Sequence, residues 1–169
     1  NSDSSNIFGF TPNYPCCLSN MHSPFPNYVQ YLWMATADRG LIAPLYGPSE
    51  VKALVGDGVE VTVIEETDFP FADGIRISVQ PERAVAFPLY LRIPAWADAA
   101  EVTVEGGKTK RASAGSLVKL ERVWQPGDTV MLAFHPQVCT ESRPNGAVFV
   151  RWGALYFSLR IGQAFQAIE

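Results

Sequence analysis

The 169 residues are 47% hydrophobic, 18% charged and 12% aromatic, a balance that forms a packed core and excludes an intrinsically disordered chain. Thirteen Lys and Arg against 17 Asp and Glu leave a net charge of -4, so there is no basic field to hold a nucleic-acid backbone or an anionic membrane. Arg92 interrupts the longest apolar stretch, 84–97, well before the roughly 18 residues that a bilayer span needs, and neither nucleic acid nor membrane is expected as a partner.

Residues 1–22 are rich in Ser, Asn, Pro and aromatics and follow neither the helical nor the strand period, so they read as a loop that leans on other protein. The chain opens on Asn1 rather than Met, which reads as a processed end or a cut. From Ser23 the pattern changes. Ser23 as N-cap and Pro24 at the first helical position precede Phe25, Tyr28, Val29, Leu32 and Trp33 at helical spacing, and the helix is expected to end before Gly40. Its apolar residues spill beyond one stripe through Tyr31, Met34 and Ala35, as on a helix covered from several sides.

After Gly40 the period is two. Val59, Val61 and Val63 alternate with Glu60 and Thr62, and Ile75, Ile77 and Val79 alternate with Arg76 and Ser78. Leu89, Leu91 and Ile93, then Val102 and Val104, continue the pattern, with Leu117 and Leu120 less clean. Val130, Leu132 and Phe134 follow the turn Gln125-Pro126-Gly127-Asp128, and a more fully apolar pair spans about 147–152 and 155–161. Many short strands with Gly and Pro turns, and no second amphipathic helix, point to a mainly β chain: an antiparallel β-sandwich over 41–169 preceded by one α-helix within 1–40.

Chemistry concentrates in Cys16 and Cys17. Adjacent Cα atoms stand about 3.8 Å apart, short of the roughly 4.4–6.8 Å of an ordinary disulfide, so a bridge between the two would be strained. Two neighbouring thiols in a loop can face one soft cation as thiolates, or one can act as an activated nucleophile, or both can be small buried hydrophobes. With Cys139 the cysteines number three, which is no disulfide framework.

The stretch Tyr14-Pro15-Cys16-Cys17-Leu18-Ser19-Asn20-Met21-His22 resembles the Cys-Cys-x-x-Asn segment of the β-L-arabinofuranosidase-like glycoside hydrolases. Further blocks follow in order: Leu45-Tyr46-Gly47-Pro48-Ser49-Glu50-Val51, Glu65-Glu66-Thr67-Asp68-Phe69-Pro70-Phe71, Phe87-Pro88-Leu89-Tyr90-Leu91-Arg92-Ile93-Pro94-Ala95-Trp96 and Trp124-Gln125-Pro126-Gly127-Asp128. The resemblance implies an (α/α) helical barrel followed by β-sandwich domains. Residues 1–40 would then be the Cys-Cys loop and last helix of a truncated catalytic barrel, and this chain the C-terminal part of a retaining glycosidase.

By the same resemblance, Cys16 is a zinc-bound nucleophile, Cys17 a second zinc ligand, and the substrate a glycan. His22, beside the pair at the helix start, is the candidate substrate-binding residue. Only fifteen residues precede Cys16, with no Glu or Cys among them, so the acid/base Glu and the other zinc ligands of the family are missing and the chain alone is expected to be inactive. The family's Arg-Gly-Pro-Leu block is altered to Arg151-Trp152-Gly153-Ala154-Leu155. A periplasmic or extracellular, secreted setting is expected because polysaccharide-derived substrates are met there.

Other candidates weigh less. Glu66 and Asp68, two apart on a presumed strand, would stand roughly 7 Å apart on one side, as an inverting carboxylate pair can, although a solvated strand end explains them as well and Glu65 faces the other way. His135 and Cys139 read as structural. Trp96, Trp124 and Trp152 could form a sugar-stacking platform, with core packing the simpler role for most of them. The alternative function is a non-catalytic β-sandwich module that binds carbohydrate or braces a catalytic domain.

Overall fold

The structure, a computed structural model, describes residue 20, residues 22–160 and residue 162. A helix, α1 (Pro24–Gln30), precedes thirteen strands among the described residues. The helix is shorter than its spacing predicts. Ser23 is itself in helical conformation and makes no side-chain capping bond, and the chain leaves the helix at Tyr31. Leu32 and Trp33 turn into the core instead of extending the helix, and Met34–Ala35 pair as a short strand, β1. Two large apolar side chains that can be buried in a turn outweigh three more residues of helical propensity.

Two sheets enclose the core. The first has the order β1-β2-β6-β9, built from Met34–Ala35, β2 (Leu41–Ala43), β6 (Val85–Arg92) and β9 (Leu117–Trp124). The second has the order β3-β4-β5-β10-β7-β8, built from β3 (Ser49–Val55), β4 (Val59–Thr67), β5 (Gly74–Pro81), β7 (Ala99–Val104), β8 (Lys110–Ser113) and β10 (Asp128–Phe134). All pairings in it are antiparallel, as expected of a sandwich; in the first sheet β2 runs parallel to β6, with Leu41 opposite Leu89. β2 is three residues long and pairs antiparallel with β1 across the turn 36–40, while its other edge meets β6 from a distant part of the chain.

The alternation seen in the sequence is the burial pattern. Val61 and Val63 from β4, Ile75, Ile77 and Val79 from β5, and Val130, Leu132 and Phe134 from β10 meet Leu89, Leu91 and Phe87 of β6 across the sandwich. Trp124 is fully buried, packs on Phe87 with ring centroids 5.8 Å apart, and donates its indole N–H to the Phe87 carbonyl at 2.9 Å.

Beyond Phe134 the chain forms a separate three-stranded antiparallel sheet: β11 (Val138–Ser142), β12 (Val148–Trp152) and β13 (Leu155–Phe157). The apolar character of 147–152 predicts burial, but Val148 and Val150 are 61% and 37% exposed. They lie on one face with Val138 and Phe157, and no described element covers that face.

Candidate functional site

α1, which follows the Cys-Cys stretch in the sequence, and the turn just beyond it are bonded to the sandwich. The Tyr28 hydroxyl donates to the Tyr46 carbonyl, and the Trp33 indole N–H donates to Ser49 Oγ at 3.1 Å, which in turn donates to the Gly47 carbonyl at 2.9 Å. The segment receiving these bonds, 44–48, crosses from β2 in one sheet to β3 in the other. It is itself pinned: the Tyr46 hydroxyl donates to the Arg92 carbonyl at 2.7 Å, and Arg92 Nε donates to the Pro44 carbonyl. A crossing segment cannot use ladder hydrogen bonds, so its carbonyls are satisfied by side chains: Tyr46 by Tyr28 of α1, Pro44 by Arg92 of β6 and Gly47 by Ser49 of β3.

Beneath this clasp lies Glu65. The alternation of Val59, Val61 and Val63 along β4 carries position 65 onto the core face, where the residue is 2% exposed. Glu65 Oε1 accepts the Gly47 N–H at 2.8 Å, and Oε2 has no partner among the described residues. Burial pushes its carboxyl up to about 7, while the Gly47 bond pulls the other way. Burial first, and the nearby Glu65 charge second, also raise the hydroxyls of Tyr28 and Tyr46, and Arg92 opposes both shifts. Tyr46, Gly47, Glu65 and Arg92 fall within the sequence blocks and Tyr28 on the expected helix; what the blocks do not display is that the Glu65 carboxylate meets the Gly47 N–H.

Of the residues expected to carry chemistry, Cys16 and Cys17 lie outside the described residues. His22 is exposed, and its carbonyl accepts the Phe25 N–H at 3.3 Å at the start of α1. Among the described residues no group of three or more His, Cys, Asp and Glu side chains gathers as a metal site. Two adjacent thiols are soft donors that suit zinc, yet they are half of the usual four-ligand set.

Glu66 is exposed and sits 3.5 Å from Arg76, directly opposite on β5, and Asp68 falls beyond the end of β4. That is the arrangement of a solvated strand end. His135 is exposed, 3.8 Å from Glu101, and Cys139 is a half-buried free thiol. Of the tryptophans, Trp124 is core, whereas Trp96 and Trp152 are half-buried. Trp96 stacks on Phe69 at 6.2 Å and 11°, and meets the edge of Phe134 at 5.2 Å.

Residues 40–135 match the family described as Beta-L-arabinofuranosidase, GH127 middle domain. Among solved structures the chain is similar to a GH127 β-L-arabinofuranosidase from Geobacillus stearothermophilus T6, with 31% identity and a TM-score of 0.72 over 83% of this chain and 23% of the other. It is also similar to a glycoside hydrolase, at 27% identity and a TM-score of 0.73 over 92% of this chain and 28% of that one. A GH127 β-arabinofuranosidase at 22% identity and a TM-score of 0.71 shares the fold, over 83% of this chain and 25% of that one. No curated protein matches the chain. It spans about a quarter of the length of these solved relatives. Ordered sequence blocks, the sandwich and the match over residues 40–135 converge on one assignment: the chain belongs to the GH127 β-L-arabinofuranosidase family, with residues 40–135 forming its middle domain.

Proposed function

We propose that this chain is part of a retaining β-L-arabinofuranosidase-like enzyme in which Cys16 is the nucleophile and the sandwich holds the Cys-Cys segment in place. The observation that carries the reading is the clasp: Tyr28 of the helix that follows Tyr14–His22 is bonded to the segment that joins the two sheets, and Trp33 just beyond the helix to the first residue of β3. The family match over 40–135 supports the reaction class, and the 31% identical relative is described as a β-L-arabinofuranosidase.

In retention, the Cys16 sulfur forms a bond to the anomeric carbon as the bond from that carbon to the leaving oxygen breaks, and an acid supplies that oxygen with a proton. Water then displaces the sulfur, and the same acid, now a base, takes the water proton. Cys16 and Cys17 would hold zinc, which when bound keeps a thiol deprotonated near neutral pH. The chain carries neither a recognisable acid for the leaving oxygen nor two further ligands, so it is inactive alone and depends on a preceding helical-barrel region. The substrate is a glycan, met in the periplasm or outside the cell; a parent gene with no export signal would overturn that location.

The test is a longer protein that includes the preceding region. Cys16→Ser abolishes turnover there, and Cys17→Ser chiefly lowers bound zinc, measured by metal analysis. Hydrolysis by residues 1–169 alone, or full activity in Cys16→Ser, would overturn the reading.

A further inference from the structure

A groove of about 490 Å³ lies where the three-stranded sheet meets the sandwich, lined by Ala95, Trp96, Glu141, Arg151, Tyr156 and the Gly153–Ala154 turn. Register explains which side chains it gathers. Glu141 stands opposite Phe149, and Arg151 opposite Tyr156, so all four lie on one face of the sheet while Val138, Val148, Val150 and Phe157 take the other. The groove face is braced throughout. Arg151 donates from Nε to Glu141 at 3.2 Å and from Nη1 to the Gly153 carbonyl at 3.2 Å. Tyr156 meets the edge of Phe149 at 5.1 Å, and Arg143 lies over Phe149 at 4.6 Å. Gly153 has φ +58, and a Cβ there would lie 3.4 Å from the Trp96 ring, so the turn fits closely beside the tryptophan.

We infer that this groove binds a neutral saccharide. The one anion that lines it, Glu141, is held by Arg151 at 3.2 Å and by Arg143 at 3.5 Å, so its carboxylate is neutralised and draws in no cationic ligand. A paired guanidinium and carboxylate still offer N–H donors and acceptor lone pairs side by side, the pattern that neighbouring hydroxyls can satisfy. Trp96 on one side and the 65% exposed Tyr156 on another offer aromatic surface for the apolar C–H face of a sugar ring. A few fixed polar groups among aromatic and small side chains is the composition that small-molecule sites use.

The experiment is a titration of the 169-residue protein with methyl β-L-arabinofuranoside, followed by amide and indole NMR shifts, with inorganic phosphate as the charged control. The expected shifts cluster at Trp96, Gly153, Ala154 and Tyr156. Because Trp96 also packs the core, the variants are Tyr156→Ala and Arg151→Met; each weakens binding by about five-fold or more while the amide shifts of the sandwich strands stay in place, which shows that the fold is kept. Cys16→Ser leaves binding as it was, which separates this site from the nucleophile assignment. Shifts that fall elsewhere or are absent, tighter binding of phosphate, or unaltered affinity in both variants would overturn the inference.

Discussion

Glu65 gives one carboxylate oxygen to the Gly47 N–H at 2.8 Å and buries the other without a partner, directly under the segment that receives α1. Tyr28 from α1, Tyr46 from the crossing segment and Arg92 from β6 are the titratable and charged groups coupled to that region. The folded carboxyl titrates at about 7 against an ordinary 4.5. A raised value means that the stability contributed by the neutral acid is complete below 4.5 and is lost as pH rises through 7. The melting temperature therefore falls between mildly acidic and mildly basic pH. Glu65→Gln keeps an acceptor for Gly47, flattens this dependence, and is more stable than the parent at basic pH by about 1–3 kcal/mol. An equal slope in both proteins would show that another group is responsible.

Trp124 supplies the largest fully buried side chain of the core. Trp124→Ala removes its packing on Phe87 and strands the Phe87 carbonyl that it satisfies. The expected loss is about 3–5 kcal/mol, read as a lower urea midpoint at an unchanged slope.

Gly40 sits against β6 so closely that a Cβ would fall 2.1 Å from the Pro88 carbonyl oxygen and 2.6 Å from Pro88 Cγ. Neither atom belongs to a flexible side chain. Gly40→Ala must shift β2 against β6 and costs about 1–3 kcal/mol, whereas Gly74→Ala, at a position with nothing within 4 Å, stays within about 0.5 kcal/mol. Thermal melts of the two variants side by side check the contrast.

Glu66 and Arg76 are 64% and 53% exposed, and a pair that open to solvent contributes little. Glu66→Gln changes stability by no more than about 0.5 kcal/mol, and in the longer protein it leaves turnover intact. A collapse of activity would return Glu66 and Asp68 to contention as a carboxylate pair.

What the sequence by itself determined is the periodic part of the fold. Val59, Val61 and Val63, or Ile75, Ile77 and Val79, declare a half-buried strand because adjacent side chains must point to opposite faces. The same rule carries Glu65 to the core face, and the family blocks around Tyr46, Glu65, Arg92 and Trp124 were readable as a resemblance. The tertiary structure alone decided the partners. Nothing local tells three-residue β2 to run parallel to β6, or short polar strands such as β8 and β11 to pair, since pairing depends on residues far away in the chain. Nor does any period reveal that Glu65 keeps an unpaired oxygen under Gly47, or that Trp96, Glu141, Arg151 and Tyr156 share one groove. Local sterics and alternation set which way a side chain points, but its surroundings are assembled by contacts between segments that only the folded chain brings together.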